Sequence, residues 1–398
     1  MPTSQPWPVV LFSGNRADYS LLVPLAQHLH TDDRFTPTWW LGTDHTSLGS
    51  IAHVLADAWP RVQVLPPPAQ LPLSGSTPLT LQATQTHLHG VATLLRNHPP
   101  KPAACILLGD RFEAFAVALA CFYYGIPIIH LAAGDTTQGG CPDDQLRFAL
   151  SALASLHVCF SAQSQQRLQH NLAHTPALAD RVLHVSSPVV ESLAQLILTP
   201  KATLCQELDL NPNLPVALVT QHPIPPPAEA ETTSVAGFES LLTTLAKIPN
   251  LQVILTSPNQ DSPAGVAMQA LAQAQATHYH SQGWRYQPTL GREAYLSWLA
   301  AASVVVGNTS SGLYETPCFG TPSISVGPRQ AGRERAANVL SVPLGDEAAL
   351  SEALTRALGD EAFIAQCQGV QSPFVVQQGQ DGTGSQHIAN ALAKLLGD

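Results

Sequence analysis

The chain has 398 residues, more than one ordinary hydrophobic core organises, so two domains of about 200 residues each are expected. Apolar residues make up 45% and charged residues only 12%, which leaves enough apolar mass for two cores. The net charge of −10 excludes a general nucleic-acid surface, which needs clustered Lys and Arg, but not a local site for a small anion.

Seven cysteines stand at positions 105, 121, 141, 159, 205, 318 and 367, and none forms a C-x-x-C pair. An odd, scattered set argues against a disulfide framework or a structural zinc site. The opening residues, MPTSQPWPVVLFSG, lack a basic stretch leading into an apolar one, and no apolar run reaches the roughly 20 residues that span a bilayer. A cytoplasmic protein without a membrane partner is expected.

In chain order, Pro8–Ser13 reads as a strand, Gly14–Asp18 as a polar turn, and Tyr19–His30 as a helix. Thr36–Leu41 is the next strand, and Val64–Pro78, rich in Pro, Gly and Ser, is expected to be a mobile loop. Ala104–Leu108 is a buried strand ending at Gly109-Asp110; an Ala-rich helix, Phe112–Tyr124, leads to strands at Pro127–Leu131 and His157–Phe160. After a Pro/Asn-rich stretch near Thr199–Pro215 the pattern restarts, with strands at Val216–Thr220, Gln252–Thr256, Ser303–Gly307 and Pro322–Val326. A helix is expected over Val235–Ile248 and another over Ser385–Leu396. This strand–helix grammar predicts α/β architecture with parallel sheets. The expected domains are 1–195, 196–375 and a C-terminal helical segment, 376–398, which could pack across both; a cleft is expected between the two domains.

Ligands of open parallel sheets sit beyond the carboxyl ends of the strands, so the residues after each strand matter most. Those are Gly14–Tyr19, Gly109-Asp110-Arg111, Ala132–Asp135, Gln221-His222-Pro223 and Gly307–Gly312. Each alone reads as turn or capping residues, whereas five together read as a site. In Val304–Gly320 a buried strand enters a Gly/Ser turn and a helix start, where free N–H groups and the helix dipole favour a phosphate. Ser310 and Ser311 add hydroxyl donors, and Glu315 is suited to accept from ribose hydroxyls; a plain serine cap is the simpler alternative. Asp143 and Arg147 are spaced to share a helix face, for which charge complementarity at a helix start is the alternative.

Together these segments resemble the UDP-N-acetylglucosamine 2-epimerase family in its hydrolysing branch. The matching pieces run in family order from about residue 9 to 340: Arg16–Tyr19, Gly109–Glu113, Asp143-Asp144 with Arg147, Ser187-Pro188, His222-Pro223, Pro258-Asn259, Gly307–Glu315, Gly327 with Arg329-Gln330, and Gly332-Arg333. The non-hydrolysing branch carries His-Arg-Arg-Glu-Asn where this chain has HPIPPP. The resemblance implies two Rossmann-like domains in a glycosyltransferase-B-like arrangement, a UDP-sugar substrate, a homo-oligomer (dimer or tetramer) and no cofactor or metal. It implies release of UDP and the 2-epimeric free sugar through a glycal, as in sialic acid biosynthesis. By resemblance, Asp110, Asp135, Asp143 and Asp144 are the catalytic carboxylates. Arg16, Arg111, Arg147, His222, Asn259, Ser310, Ser311, Gly312, Glu315, Arg329 and Arg333 bind substrate.

One segment departs from the family pattern. His-x-His-Gly-Gly-Glu becomes His130-Leu131-Ala132-Ala133-Gly134-Asp135, and the Arg-His pair of the following helix becomes Arg147-Phe148. Two imidazoles are lost and a carboxylate is shortened by one carbon, so poor handling of ordinary UDP-N-acetylglucosamine is expected. A UDP-sugar altered at C4 or C6 fits that change. A glycosyltransferase-B-type transferase, or a nucleotide-sugar binder without the standard activity, is the competing reading.

Overall fold

Strands in this chain are short and apolar on both faces, as a parallel sheet covered by helices on both sides requires. The computed structural model describes residues 5–14, 16–42, 58–66, 79–97, 100–137, 143–194, 196–224, 228–259, 262–376 and 382–397. The first sheet holds β1 (Trp7–Ser13), β2 (Phe35–Leu41), β3 (Val62–Val64), β4 (Ala104–Leu108), β5 (Ile128–Leu131), β6 (Leu156–Cys159) and β7 (Val182–His184), in the order β3-β2-β1-β4-β5-β6-β7. The second holds β8 (Val216–Thr220), β9 (Gln252–Thr256), β10 (Trp284–Gln287), β11 (Val304–Gly307), β12 (Ser323–Val326) and β13 (Val339–Val342), in the order β10-β9-β8-β11-β12-β13. Every strand pair is parallel. This is the fold class expected from the sequence, two Rossmann-like domains of glycosyltransferase-B-like type.

Contacts divide the chain into one unit of Met1–Asp135, Pro142–Ser192 and Phe374–Asp398, and a second of Thr136–Cys141 and Leu193–Pro373. The C-terminal helix, Gly384–Leu396, is capped by Thr383 and buries Ile388, Ala389, Leu392 and Ala393. It packs on the helix Arg16–Thr31 and on β6, within the first unit. Its first residue must be glycine, because a Cβ there would sit 2.0 Å from the Ser186 carbonyl oxygen.

The period-2 alternation of strand side chains sorts the core. In the first unit Val10, Phe12, Cys105 and Leu107 pack with Val91, Val117 and Leu150 from helices on one face. In the second, Ala217, Val219, Val253 and Leu255 pack with Phe238, Leu242 and Met268, while Leu218, Ile254 and Val305 face Trp298 and Leu299 on the other side. Val64 closes β3 instead of opening a loop, and Leu65 beyond it is fully buried. The rest of that expected loop, residues 67–78, lies outside the described residues.

Both sheets reverse strand order beside their first strand, at β1/β4 and at β8/β11. Such a switch point opens a crevice at the carboxyl ends of the two strands. Ser13-Gly14 and Gly109-Asp110 flank the first, and Thr220–His222 and Gly307-Asn308 flank the second.

Candidate functional site

At the first switch point carboxylates gather around arginines. Asp110, just past β4, forms an ion pair with Arg147, whose side chain is 1% exposed on the helix Asp143–Leu153. Arg147 also donates to the Ala132 carbonyl at 2.9 Å. Its partner is therefore a carboxylate across the sheet edge, so the arginine does more than balance its own helix start. Arg111 forks around the buried Glu113 carboxylate, at 2.7 Å for the closest approach. Asp18, at the start of the helix after β1, completes the cluster. Burial pushes its carboxyl up to about 7, against the pull of Arg111 and with help from Glu113 and Asp110. The described residues include the backbone of Arg16 and Asp143, which begin their helices; their side chains lie outside the description. Asp144 is half-buried at the same helix start.

The segment after β5 is turned into the fold. Asp135 is 5% exposed and accepts from the Ser164 hydroxyl at 2.6 Å. Gly134, at φ +74°, lies so close to the Ser164 carbonyl that a Cβ would be 2.2 Å from it. Ala132 carries the left-handed backbone at φ +56°, a conformation strained for a residue with a Cβ. His130 is fully buried: Nε2 donates to the Gly109 carbonyl at 2.7 Å and Nδ1 accepts from the Ser151 hydroxyl at 2.9 Å. Burial pushes it down to about 3, so it is a neutral brace between β5, β4 and the next helix. Phe148 is half-buried.

The second switch point is built mainly from uncharged groups, with Arg329 beside them. Gly307 sits at φ +135°, and a Cβ there would be 2.0 Å from the Thr220 carbonyl, so β8 and β11 close only with glycine. Asn308, 1% exposed, clamps the His222 backbone, accepting from its N–H at 2.7 Å and donating to its C=O at 2.8 Å. His222 Nδ1 accepts from the Asn259 backbone N–H at 3.1 Å, which leaves the ring proton on Nε2 as a donor. Burial and Arg329 push His222 down to about 3, so the ring is neutral. Asn259 contributes its backbone here, and its residue is exposed.

Beyond β11 the expected helix is two short turns, Ser311–Tyr314 and Thr316–Phe319, parted at Glu315 and restarted by Pro317. Ser310 makes no side-chain cap, so plain capping does not account for it. The Ser311 backbone N–H donates to the Thr309 hydroxyl at 3.4 Å. A Cβ on Gly312 would meet the Ser323 hydroxyl at 2.9 Å. Arg329 and Gln330 donate to the Asn308 carbonyl at 3.3 and 2.8 Å, and Arg333 donates to the Gln330 side chain at 2.6 Å. Among the described residues no group of three His, Cys, Asp or Glu is placed to hold a metal ion, and no helix is long and apolar enough to cross a membrane.

A family model described as UDP-N-acetylglucosamine 2-epimerase matches residues 63–393. The chain belongs to that family. The GDP/UDP-N,N'-diacetylbacillosamine 2-epimerase (hydrolyzing) of Campylobacter jejuni is 29% identical over 250 residues, 62% of each chain, so it is matched over less than two thirds of its length. The UDP-N,N'-diacetylbacillosamine 2-epimerase (hydrolyzing) of Legionella pneumophila is 26% identical over 347 residues, 86% of this chain and 87% of that one. A crystal structure of UDP-GlcNAc 2-epimerase from Neisseria meningitidis bound to UDP-GlcNAc matches with a TM-score of 0.76 over 97% of this chain and 99% of that one; at 17% identity this likeness carries the fold.

For this 2-epimerase-family chain, sequence reasoning missed several residues of the two edges. Asp18 and Glu113 stood inside quoted motifs without a role, and Asn308 was passed over between Gly307 and the serines. Arg292 and Tyr295, which face Glu315 and Ser311, lie on the helix Arg292–Ala301, which carries no recognisable motif. Only the helical spacing that brings positions 292 and 295 to one face hints at them.

Proposed function

We propose that this chain is a hydrolysing 2-epimerase of a UDP-2-acetamido sugar, releasing UDP and the 2-epimeric free sugar through a glycal. One observation carries the reading: the two switch points of a single chain are chemically unlike, one crowded with paired carboxylates and the other lined mainly with neutral donors beside Arg329. Removing a proton from C2 and expelling UDP from C1 needs both, a set of acids and bases for the sugar and a set of donors for the diphosphate.

In this reading the first unit acts on the sugar. Asp110, set by Arg147, and Asp143 and Asp144 at the neighbouring helix start are the proton-transfer groups. Asp135, held inward by Ser164, tunes that edge, and Arg16 and Arg111 face the anionic substrate. The second unit holds the nucleotide. The neutral Nε2–H of His222 and the Ser310 hydroxyl donate to the diphosphate, Arg329 and Arg333 supply positive charge, and Glu315 accepts from ribose. Ala132 and Phe148 make the sugar side less polar, which suits a substrate in which a hydroxyl has given way to a bulkier group. The diacetylbacillosamine named for two relatives carries two N-acetyl groups, and a sugar of that kind is the proposed substrate.

The test is a panel of UDP-sugars in deuterated water, following UDP release and the sugar product. Epimerisation places solvent deuterium at C2. Sugar transfer to an acceptor with C2 unlabelled would overturn the reading in favour of a transferase. UDP binding without turnover of any sugar would leave a nucleotide-sugar binder. Turnover of ordinary UDP-N-acetylglucosamine at about 10 per second would overturn the assignment of a modified sugar.

A further inference from the structure

The backbone leaving β8 is pinned on both sides of one side chain. The Thr220 and Thr256 hydroxyls lie 2.7 Å apart, and the Thr220 carbonyl accepts from the Asn308 backbone N–H at 3.1 Å. Asn308 clamps the His222 backbone, and a Cβ on Gly307 would come within 3.3 Å of the Gln221 nitrogen. Gln221 stands between these fixed points. It is 3% exposed, and its Oε1 is buried without a hydrogen-bond partner among the described residues. A buried amide oxygen without a donor is costly, and native proteins keep few of them. The clamps stop the backbone from shifting to find a donor. The cost therefore persists in the ligand-free protein and is removed by a ligand that brings one.

The two faces of the sheet decide which part of a ligand reaches Gln221. Side chains alternate along β8: Leu218 packs with Ile254, Val305 and Trp298, and Val219 packs with Phe238 on the opposite face. The same period puts Gln221 on the face of Val219. Ile224, three residues on, donates its N–H to the Ser234 hydroxyl of the helix Ala228–Ala246, which carries Phe238. The turns around Glu315 belong to the other face. Phe319 packs against the cluster that holds Trp298, and the turn Thr316–Phe319 lies against the helix Arg292–Ala301. A nucleotide sugar is linear, in the order ribose, diphosphate, sugar. With ribose at Glu315 and diphosphate at Ser310 and His222 on the rim between the faces, the sugar comes next, on the face of Gln221. Diphosphate oxygens only accept, so they cannot satisfy an amide oxygen, whereas a sugar hydroxyl or an acetamido N–H can.

We propose that Gln221 is a specificity-determining residue for the sugar: its Oε1 accepts from a hydroxyl or acetamido N–H of the sugar, so the second unit reads the sugar as well as the nucleotide. The inference rests on the reading that a UDP-sugar binds with its ribose at Glu315 and its diphosphate at His222. Gln221 then takes no part in proton transfer. It favours sugars that present a donor at this position over those that present an acceptor or a bare carbon, because only the first fills the empty place on its oxygen.

The experiment is Gln221→Met, which keeps the length of the side chain and removes the amide. The ligand-free variant should resist urea at least as well as the unaltered protein, because an unpaired buried oxygen has gone. Affinity for UDP, which ends at the diphosphate, should stay within about twofold by calorimetry, whereas kcat/KM for UDP-N,N'-diacetylbacillosamine should fall about tenfold. Calorimetry with the same UDP-sugar in an Asp110→Asn background, where turnover is slowed, should show a loss of the same size. Three outcomes overturn the assignment: equal loss of UDP and UDP-sugar affinity puts Gln221 on the nucleotide, unchanged UDP-sugar affinity leaves it without a ligand, and a fall in urea resistance makes it a packing residue. If the unaltered protein turns over no UDP-sugar while Gln221→Met still weakens UDP-sugar binding and spares UDP, the epimerase reading fails and the assignment of Gln221 stands.

Discussion

The edges of the two sheets solve opposite problems with one topology. At β1/β4 the groups are ionic: Asp110 with Arg147, and Arg111 with Glu113 beside Asp18. At β8/β11 they are a neutral imidazole, an asparagine clamp, serine and threonine hydroxyls, and glycine pressed against a carbonyl. Charged groups in a protein edge change their proton affinity readily, which suits chemistry. Neutral donors fixed by backbone geometry hold a dianion without competing for its protons, which suits binding. Strand order therefore places a site, and the residue types that follow the strands decide which task it performs.

Asp110→Asn gives the largest expected break in this comparison. It leaves Arg147, 1% exposed, without its counter-charge, and should cost about 3 kcal/mol of stability in urea unfolding. Turnover should fall by at least about 100-fold, while UDP affinity, read by calorimetry, stays near that of the unaltered protein. Equal loss of both would show that the two edges do not divide the labour.

The reverse experiment is Gly307→Ala. At φ +135°, with a Cβ only 2.0 Å from the Thr220 carbonyl, the substitution should destabilise the second unit by about 2 kcal/mol or more and abolish UDP binding. Hydrogen exchange should show the change in β8 and β11 and leave β1 and β4 as they were. Protection lost equally in both units would argue against separate edges.

His157 serves as a control away from either edge. It is fully buried in β6 and neither ring nitrogen has a hydrogen-bond partner among the described residues. Burial pushes it down to about 4 from 6.5. The unfolded chain binds this proton more readily, so stability falls as pH drops from about 6.5 to 4. His157→Leu should raise stability by about 1 kcal/mol at pH 7 and by more at pH 5, read by urea unfolding at both. A loss at both values would mean that the imidazole is bonded after all.

Asp18→Asn tests the ionic edge through its dependence on pH. The native carboxyl, raised to about 7, keeps a proton that the unfolded chain has lost above 3.8. Stability therefore declines as pH rises between those values, and the asparagine should flatten that decline. A slope unchanged by the substitution would remove Asp18 from the ionic edge.

What was legible in the sequence follows the same contrast. Ala104–Leu108, Val216–Thr220 and Gln252–Thr256 have the expected boundaries, because each is a buried apolar run bounded by small or turn-forming residues. The strands β3, β7, β10 and β13 were not foreseen; they have three or four residues each, mostly half-buried, and leave little periodicity to read. The helices Leu79–Asn97 and Pro263–His278 were also missed, their faces diluted by Thr, Gln and Ala. At the site, motifs marked residues that follow strands. Partners such as Asn308, Arg292 and Tyr295 are set by tertiary contact and have no local signature. Pro317 was the visible warning that a helix through Glu315 would break.

The return of Phe374–Asp398 to the first unit has a consequence during synthesis. A ribosome builds the chain in order, so all of β8–β13 emerges before the helix Gly384–Leu396 that packs on β6 and on the helix after β1. The first unit is begun first and finished last. Nascent chains should therefore pass through a stage in which the second sheet is whole while the first lacks its closing helix and leaves the apolar surface beneath it open. That stage is where chaperone engagement and aggregation would concentrate.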